Sequence, residues 1–147
     1  MKSSIRKIYI DTNVIINYCT GVENDVRALN YVFSKCRKEM LFTSSLSVVQ
    51  AVSNLQTKKK TRPAFDRFET IAKIETVLTK VTQLDLTQQD IAEAFSLVNN
   101  DLEDNVHYVL SKKRKCEAIL TNNIKDFMVF NIRVLNPKNR MLKSYIG

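Results

Sequence analysis

Apolar and polar positions along this chain follow two alternating periods. Short apolar runs stand at 8–10 ("IYI"), 40–42 ("MLF") and 118–120 ("AIL"), and between them apolar residues recur every three or four positions. The first pattern fits buried strands and the second fits amphipathic helices. The runs predict strands at 7–11, 40–43 and 118–120. The alternating "VTQLDL" predicts another at 81–86, and "NIRVLN" a last one at 131–136.

The intervening segments carry helix signals. A helix is expected over 12–20, ended by Gly21, and another over 24–38 with Val26, Leu29, Val32, Phe33 and Cys36 on one face. Ser47 and Gln50 have the spacing of a capping box, which opens a helix through "SVVQAVSNL". The stretch 62–80 reads as helical, with Pro63 in its first turn and Phe65, Phe68, Ile71, Ala72 and Leu78 inward. Thr87 caps the next helix, where Ile91, Ala94, Phe95 and Val98 recur at helical spacing. "DLEDNVHYVLSKK" predicts a further helix, with Asp101 as cap, Asp104 at its third position, and Val106, Val109 and Leu110 inward. Strands alternating with helices predict an α/β fold with a mainly parallel sheet. Ligands of such sheets bind beyond the carboxyl ends of the strands, where Asp11 and "TNN" at 121–123 fall.

Composition narrows the function classes. The chain has 147 residues, no internal repeat and no linker, so a single domain over 1–147 is expected. Only two Gly and two Pro argue against a turn-rich all-β fold. No apolar run approaches the ~20 residues of a membrane span, and "MKSSIRK" lacks a signal-peptide apolar segment. Cys19, Cys36 and Cys116 are odd in number and scattered, which fits reduced packing residues in a cytoplasmic protein. The net charge of +8 favours nucleic acid or an acidic protein as partner. Two basic runs are candidates for phosphate contact: Lys58, Lys59, Lys60 and Arg62, and Lys112, Lys113 and Arg114.

Three acids occupy comparable places. Asp11 follows the first strand, Asp104 lies in a helix's first turn, and Asp126 follows the strand at 118–120. Gathered carboxylates cost free energy unless a proton, a partner or a cation neutralises them. Mg²⁺ and Mn²⁺ prefer oxygen ligands, lower the pKa of water, and stabilise charge developing on phosphate. A cap role explains Asp11, Asp101 and Asp104 equally simply, so the residues alone leave both readings open.

Three stretches tip the balance. "IYIDTNVIINY", "LFTSSLSVVQAVSNL" and "LEDNVHYVLSKKRKCEAILTNNIKDF", in that order, resemble the PIN domain family of metal-dependent ribonucleases. The resemblance covers nearly the whole chain and implies a three-layer α/β/α fold with about four to five strands. It implies an endoribonuclease dependent on Mg²⁺ or Mn²⁺, acting on RNA as the toxin of a type II toxin–antitoxin pair. An antitoxin partner and a homodimer are implied as well. Carried over, the metal ligands and catalytic acids are Asp11, Asp104 and Asp126, with Asn13, Gln50, Asp101, Thr121 and Asn123 in support. Gln50 stands where the family commonly has Glu. That amide supports the alternative of a degenerate PIN domain that binds RNA or protein without cleaving. His107, the only histidine, is expected to be a partly exposed helix residue.

Overall fold

The computed structural model describes residues 4–139 and 142–146. Five strands form one sheet: β1 (Ile8–Ile10), β2 (Leu41–Ser44), β3 (Thr82–Leu84), β4 (Ala118–Leu120) and β5 (Arg133–Leu135). Their order is β3-β2-β1-β4-β5, and every neighbouring pair is parallel. The chain builds outward from β1 in one direction to β3, then returns to the other side of β1 for β4. The switch point, where crevices form in such sheets, therefore lies between β1 and β4.

Helices cover both faces. They are α1 (Thr12–Cys19), α2 (Glu23–Lys35), α3 (Ser45–Leu55), α4 (Arg67–Leu78), α5 (Gln88–Phe95), α6 (Leu102–Lys113), α7 (Ile124–Phe127) and α8 (Leu142–Tyr145). Strand alternation divides the core in two. Ile8, Ile10, Leu41, Ala118 and Leu120 pack with α1 to α4, while Tyr9, Phe42, Leu84 and Ile119 pack with α5 to α7. The result is the three-layer α/β/α arrangement that the resemblance implies.

Several local expectations are corrected. The helix after β2 is capped by Ser44, whose hydroxyl accepts from the Ser47 N–H at 3.1 Å. Strand passes to helix with no intervening loop residue, so Ser47 lies buried inside the helix and forms no capping box with Gln50. The capping box is instead at Thr87 and Asp90.

Pro63 precedes α4, which Asp66 caps. The buried face of α4 is Thr70, Ile74 and Val77, leaving Phe68 77% and Ile71 41% exposed, and Ala72 is exposed too. Thr70 can be buried because its hydroxyl donates to the Asp66 carbonyl at 2.8 Å. Helix α5 ends at Phe95, so the phase is lost beyond it, and Phe95 and Val98 face solvent.

Candidate functional site

Asp11 belongs to two elements at once. Its N–H donates to the Leu120 carbonyl at 3.0 Å, extending the β1–β4 ladder, and its side chain caps α1. Oδ1 accepts from the Thr12 N–H at 2.8 Å. Oδ2 accepts from Asn13 Nδ2 and from Thr121 Oγ1, both at 2.8 Å. Asn13 is oriented in turn: its Oδ1 accepts from the Asn122 N–H at 3.1 Å and from Asn122 Nδ2 at 3.0 Å. Asn122 Nδ2 also donates to Oδ2 of Asp25, a buried acid in the first turn of α2, at 2.8 Å. Asn17 Nδ2 reaches the same oxygen at 3.3 Å. Asp25 and Asn122 are site residues that sequence reasoning missed, since nothing local in "ENDVR" points to the chain's other end.

Helix α6 brings a second group of acids to the same cavity, whose volume is about 280 Å³. Asp101 caps the helix and accepts from the Asp104 N–H at 3.0 Å. Asp104 and Glu103 both line the cavity, with Asp11, Asn13, Gln50 and Asn123. Partial burial and the neighbouring Asp101, Asp126 and Asp11 carboxylates push the Asp104 carboxyl up to about 7. A hydrogen bond shared with the Asp101 side chain acts in the same direction. Asp126 is exposed on α7 and stands outside the cavity lining, although its charge is felt at Asp104. Asn123, at the start of α7, is the residue of that segment that lines the cavity.

The donor set suits a hard divalent cation: three carboxylates, Asp11, Glu103 and Asp104, line one space with amide side chains, and the raised Asp104 carboxyl lacks a counter-charge there. Among the described residues, however, no three Asp, Glu, His or Cys side chains already stand as one ligand cluster. Asp11 and Asp104 are the residues that could hold one such ion, with neutral oxygen donors completing its shell.

His107 is buried, contrary to the expectation of an exposed histidine. Its Nδ1 lies 2.8 Å from the Tyr9 hydroxyl, its Nε2 lies 3.1 Å from Gln50 Oε1, and Nε2 is 3.9 Å from Asp11 Oδ1. Burial holds the imidazole below its usual range, against the pull of the Asp11, Glu103 and Asp101 charges. The available signal was helical spacing: Glu103, Asp104 and His107 share one face of α6. Gln50 accepts from the Thr12 hydroxyl at 2.6 Å and donates through Nε2 to Glu103 Oε1.

The two basic runs part company. Lys59 and Arg62 pair across a tight turn after α3, with Arg62 donating to the Asn54 and Leu55 carbonyls. They line a groove of about 430 Å³ that shares Ile16 and Asn54 as walls with the acidic cavity. The second run lies at the other end of the 12-residue α6, roughly 12–15 Å along the helix from Glu103 and Asp104. There Lys112 is 3.8 Å from Glu93, Lys113 is 2.8 Å from Asp90, and Arg114 lies over the Phe42 ring. The structure does not bring this run to the cavity.

A family model described as PIN domain matches residues 7–125, and the chain belongs to the PIN domain family. The matched span includes Asp11 and Asp104 and ends one residue before Asp126. Over 137 residues the chain is 25% identical to ribonuclease VapC1 of Aquifex aeolicus, covering 90% of this chain and 91% of that protein. In fold it is similar to a toxin–antitoxin complex from Klebsiella pneumoniae, with a TM-score of 0.65, 18% identity, and coverage of 89% of this chain and 98% of that one. It is also similar to Mycobacterium tuberculosis VapC20, a sarcin-ricin loop cleaving toxin, with a TM-score of 0.61 and 13% identity. That match covers 81% of this chain and 93% of the other. No helix among the described residues is long and apolar enough to cross a membrane.

Proposed function

We propose that this chain is a divalent-metal-dependent endoribonuclease that hydrolyses RNA phosphodiester bonds, and the toxin of a toxin–antitoxin pair. The observation that carries the reading is the pair of carboxylates, Asp11 and Asp104, facing one cavity at the sheet's switch point. Asp11 and Asp104 would hold Mg²⁺ or Mn²⁺, with Asn123 as a neutral donor and Asp126 as an outer acid. When bound, the ion supplies Lewis acidity, easing deprotonation of water and neutralising charge on the phosphate.

The chain's own residues do the rest. Asn13 and Thr121 fix the Asp11 carboxylate, and Asn122 and Asp25 fix Asn13. Such supporting bonds commonly govern metal affinity. Lys58, Lys59, Lys60 and Arg62 would hold the RNA backbone along the groove beside the cavity, giving affinity rather than sequence preference. An antitoxin segment would cover the same cavity, and a homodimer is the expected assembly. The antitoxin partner is supported by the toxin–antitoxin complex of similar fold.

A second reading has one observation in its favour: no three acids stand ready as a ligand cluster among the described residues. A binding module without cleavage would look like this. Cleavage of a panel of structured RNAs in Mn²⁺, Mg²⁺ or EDTA separates the two. Metal-dependent cutting that Asp11→Asn and Asp104→Asn abolish supports the nuclease. RNA binding with no cutting in any metal supports the binding module.

A further inference from the structure

Gln50 joins two polar systems. Its carbonyl oxygen takes the Thr12 hydroxyl at 2.6 Å and faces His107 Nε2 at 3.1 Å, while its amide nitrogen donates to the Glu103 carboxylate. Reversing the amide would set its oxygen against a carboxylate, two acceptors with no hydrogen between them. The orientation of Gln50 then decides the tautomer of His107. Facing a carbonyl oxygen, Nε2 must carry the proton, so Nδ1 of the neutral ring accepts from the Tyr9 hydroxyl at 2.8 Å. The Tyr9 oxygen accepts from Ser44 Oγ at 2.8 Å, and Ser44 accepts from the Ser47 N–H. With the Ser44 hydroxyl hydrogen on Tyr9 at 2.8 Å rather than on Ser47 Oγ at 3.4 Å, the bonds along this path point one way, from the first turn of α3 through the core to Glu103, and bonds so aligned reinforce one another.

The chain of donors ends on a carboxylate that lines the cavity beside Asp104. We propose that Glu103 is an additional carboxylate of the cation site and that Gln50 is its positioning residue. The inference rests on the nuclease reading above. Position 50 then favours an amide. An amide offers an acceptor to Thr12 and His107 and a donor to Glu103 at once without a proton to lose, whereas an ionised glutamate there would face Glu103 with like charge.

Mn²⁺ binding, measured by titration calorimetry and by electron paramagnetic resonance on the metal-free full chain, tests this without RNA. The wild type, Glu103→Gln, Gln50→Ala and the double variant are compared, each checked for fold by circular dichroism. Glu103→Gln should weaken Mn²⁺ binding about tenfold. Gln50→Ala should weaken it by a similar factor although it removes no charge. The double variant should bind no more weakly than either single, because the two residues act as one unit. Glu103→Gln binding Mn²⁺ like wild type would overturn the inference and leave the nuclease reading intact, as would losses that multiply to about a hundredfold. A wild type that neither binds Mn²⁺ nor cleaves RNA would overturn both. Glu103 is exposed, so its variant decides alone if Gln50→Ala does not fold.

Discussion

Asp11 and Asp104 border one cavity and are held in opposite ways. Asp11 is buried, yet its two oxygens accept three hydrogen bonds from a backbone N–H, an amide and a hydroxyl. Those donors satisfy the buried oxygens and fix the carboxylate in place. Asp104 is less buried, but it looks onto other carboxylates and shares a proton-requiring bond with Asp101. One acid is finished by folding, and the other is left waiting for a positive charge. A binding site for a cation needs both: a fixed point and an unpaid repulsion that the ligand relieves.

Neutralising each acid should break the comparison most visibly. Asp11→Asn and Asp104→Asn should each lower RNA cleavage by about three orders of magnitude, several kcal/mol of transition-state stabilisation. Their effects on stability should have opposite signs. An amide at 11 turns one acceptor into a donor facing existing donors and should destabilise the fold by about 1–3 kcal/mol. Asp104→Asn should raise the melting temperature of the metal-free protein. Equal signs in thermal unfolding would show that the two acids are not held differently.

Acidity sharpens the contrast. The folded state binds the Asp104 proton more tightly than the unfolded chain does, with the carboxyl raised from 3.8 to about 7. Raising pH through that window removes a proton the folded state prefers, so metal-free stability should fall as pH rises from about 4 to about 7. Melting curves in EDTA across that range would check it, and Asp104→Asn should flatten the Asp104 component. Smaller effects should follow from the supports of Asp11. Thr121→Val should weaken Mn²⁺ binding about tenfold in calorimetry while leaving the fold in place. The smallest contrast lies between the basic runs. Replacing Lys58, Lys59 and Lys60 by Ala should weaken RNA binding and lower its salt dependence by about 0.7 per lost phosphate contact. Replacing Lys112 by Ala should leave both unchanged.

The strands and the placement of Asp11 and Asp104 were legible because buried parallel strands read as plain apolar runs whose carboxyl ends mark the site. The Asp101 cap was legible for the same local reason. The α4 face was not, because Thr70 satisfies its hydroxyl within the helix and so replaces an apolar residue at the core, while Phe68 stays outside. Ser44 was passed over because it ends a strand and caps a helix in one residue. His107 could be placed on the acidic face of α6 by spacing, but its burial depends on Tyr9, 98 positions away. Asp25 and Asn122 are likewise paired across 97 positions, a distance that no local pattern spans.

The loop-free passage from β1 through Asp11 into α1, and from β2 through Ser44 into α3, divides the cavity wall into parts with different engineering prospects. An inserted residue at either junction would shift a whole strand or helix, so these walls set the chemistry and resist redesign. The connection between α3 and α4, at 56–66, is anchored by Arg62 on the Asn54 and Leu55 carbonyls and by Asp66 capping α4, and ahead of those anchors it reaches the groove beside the cavity through Lys59 and Thr61. Redesign of how strongly the enzyme grips RNA should therefore begin at 57–61, where length and sequence can change without moving Asp11 or Asp104.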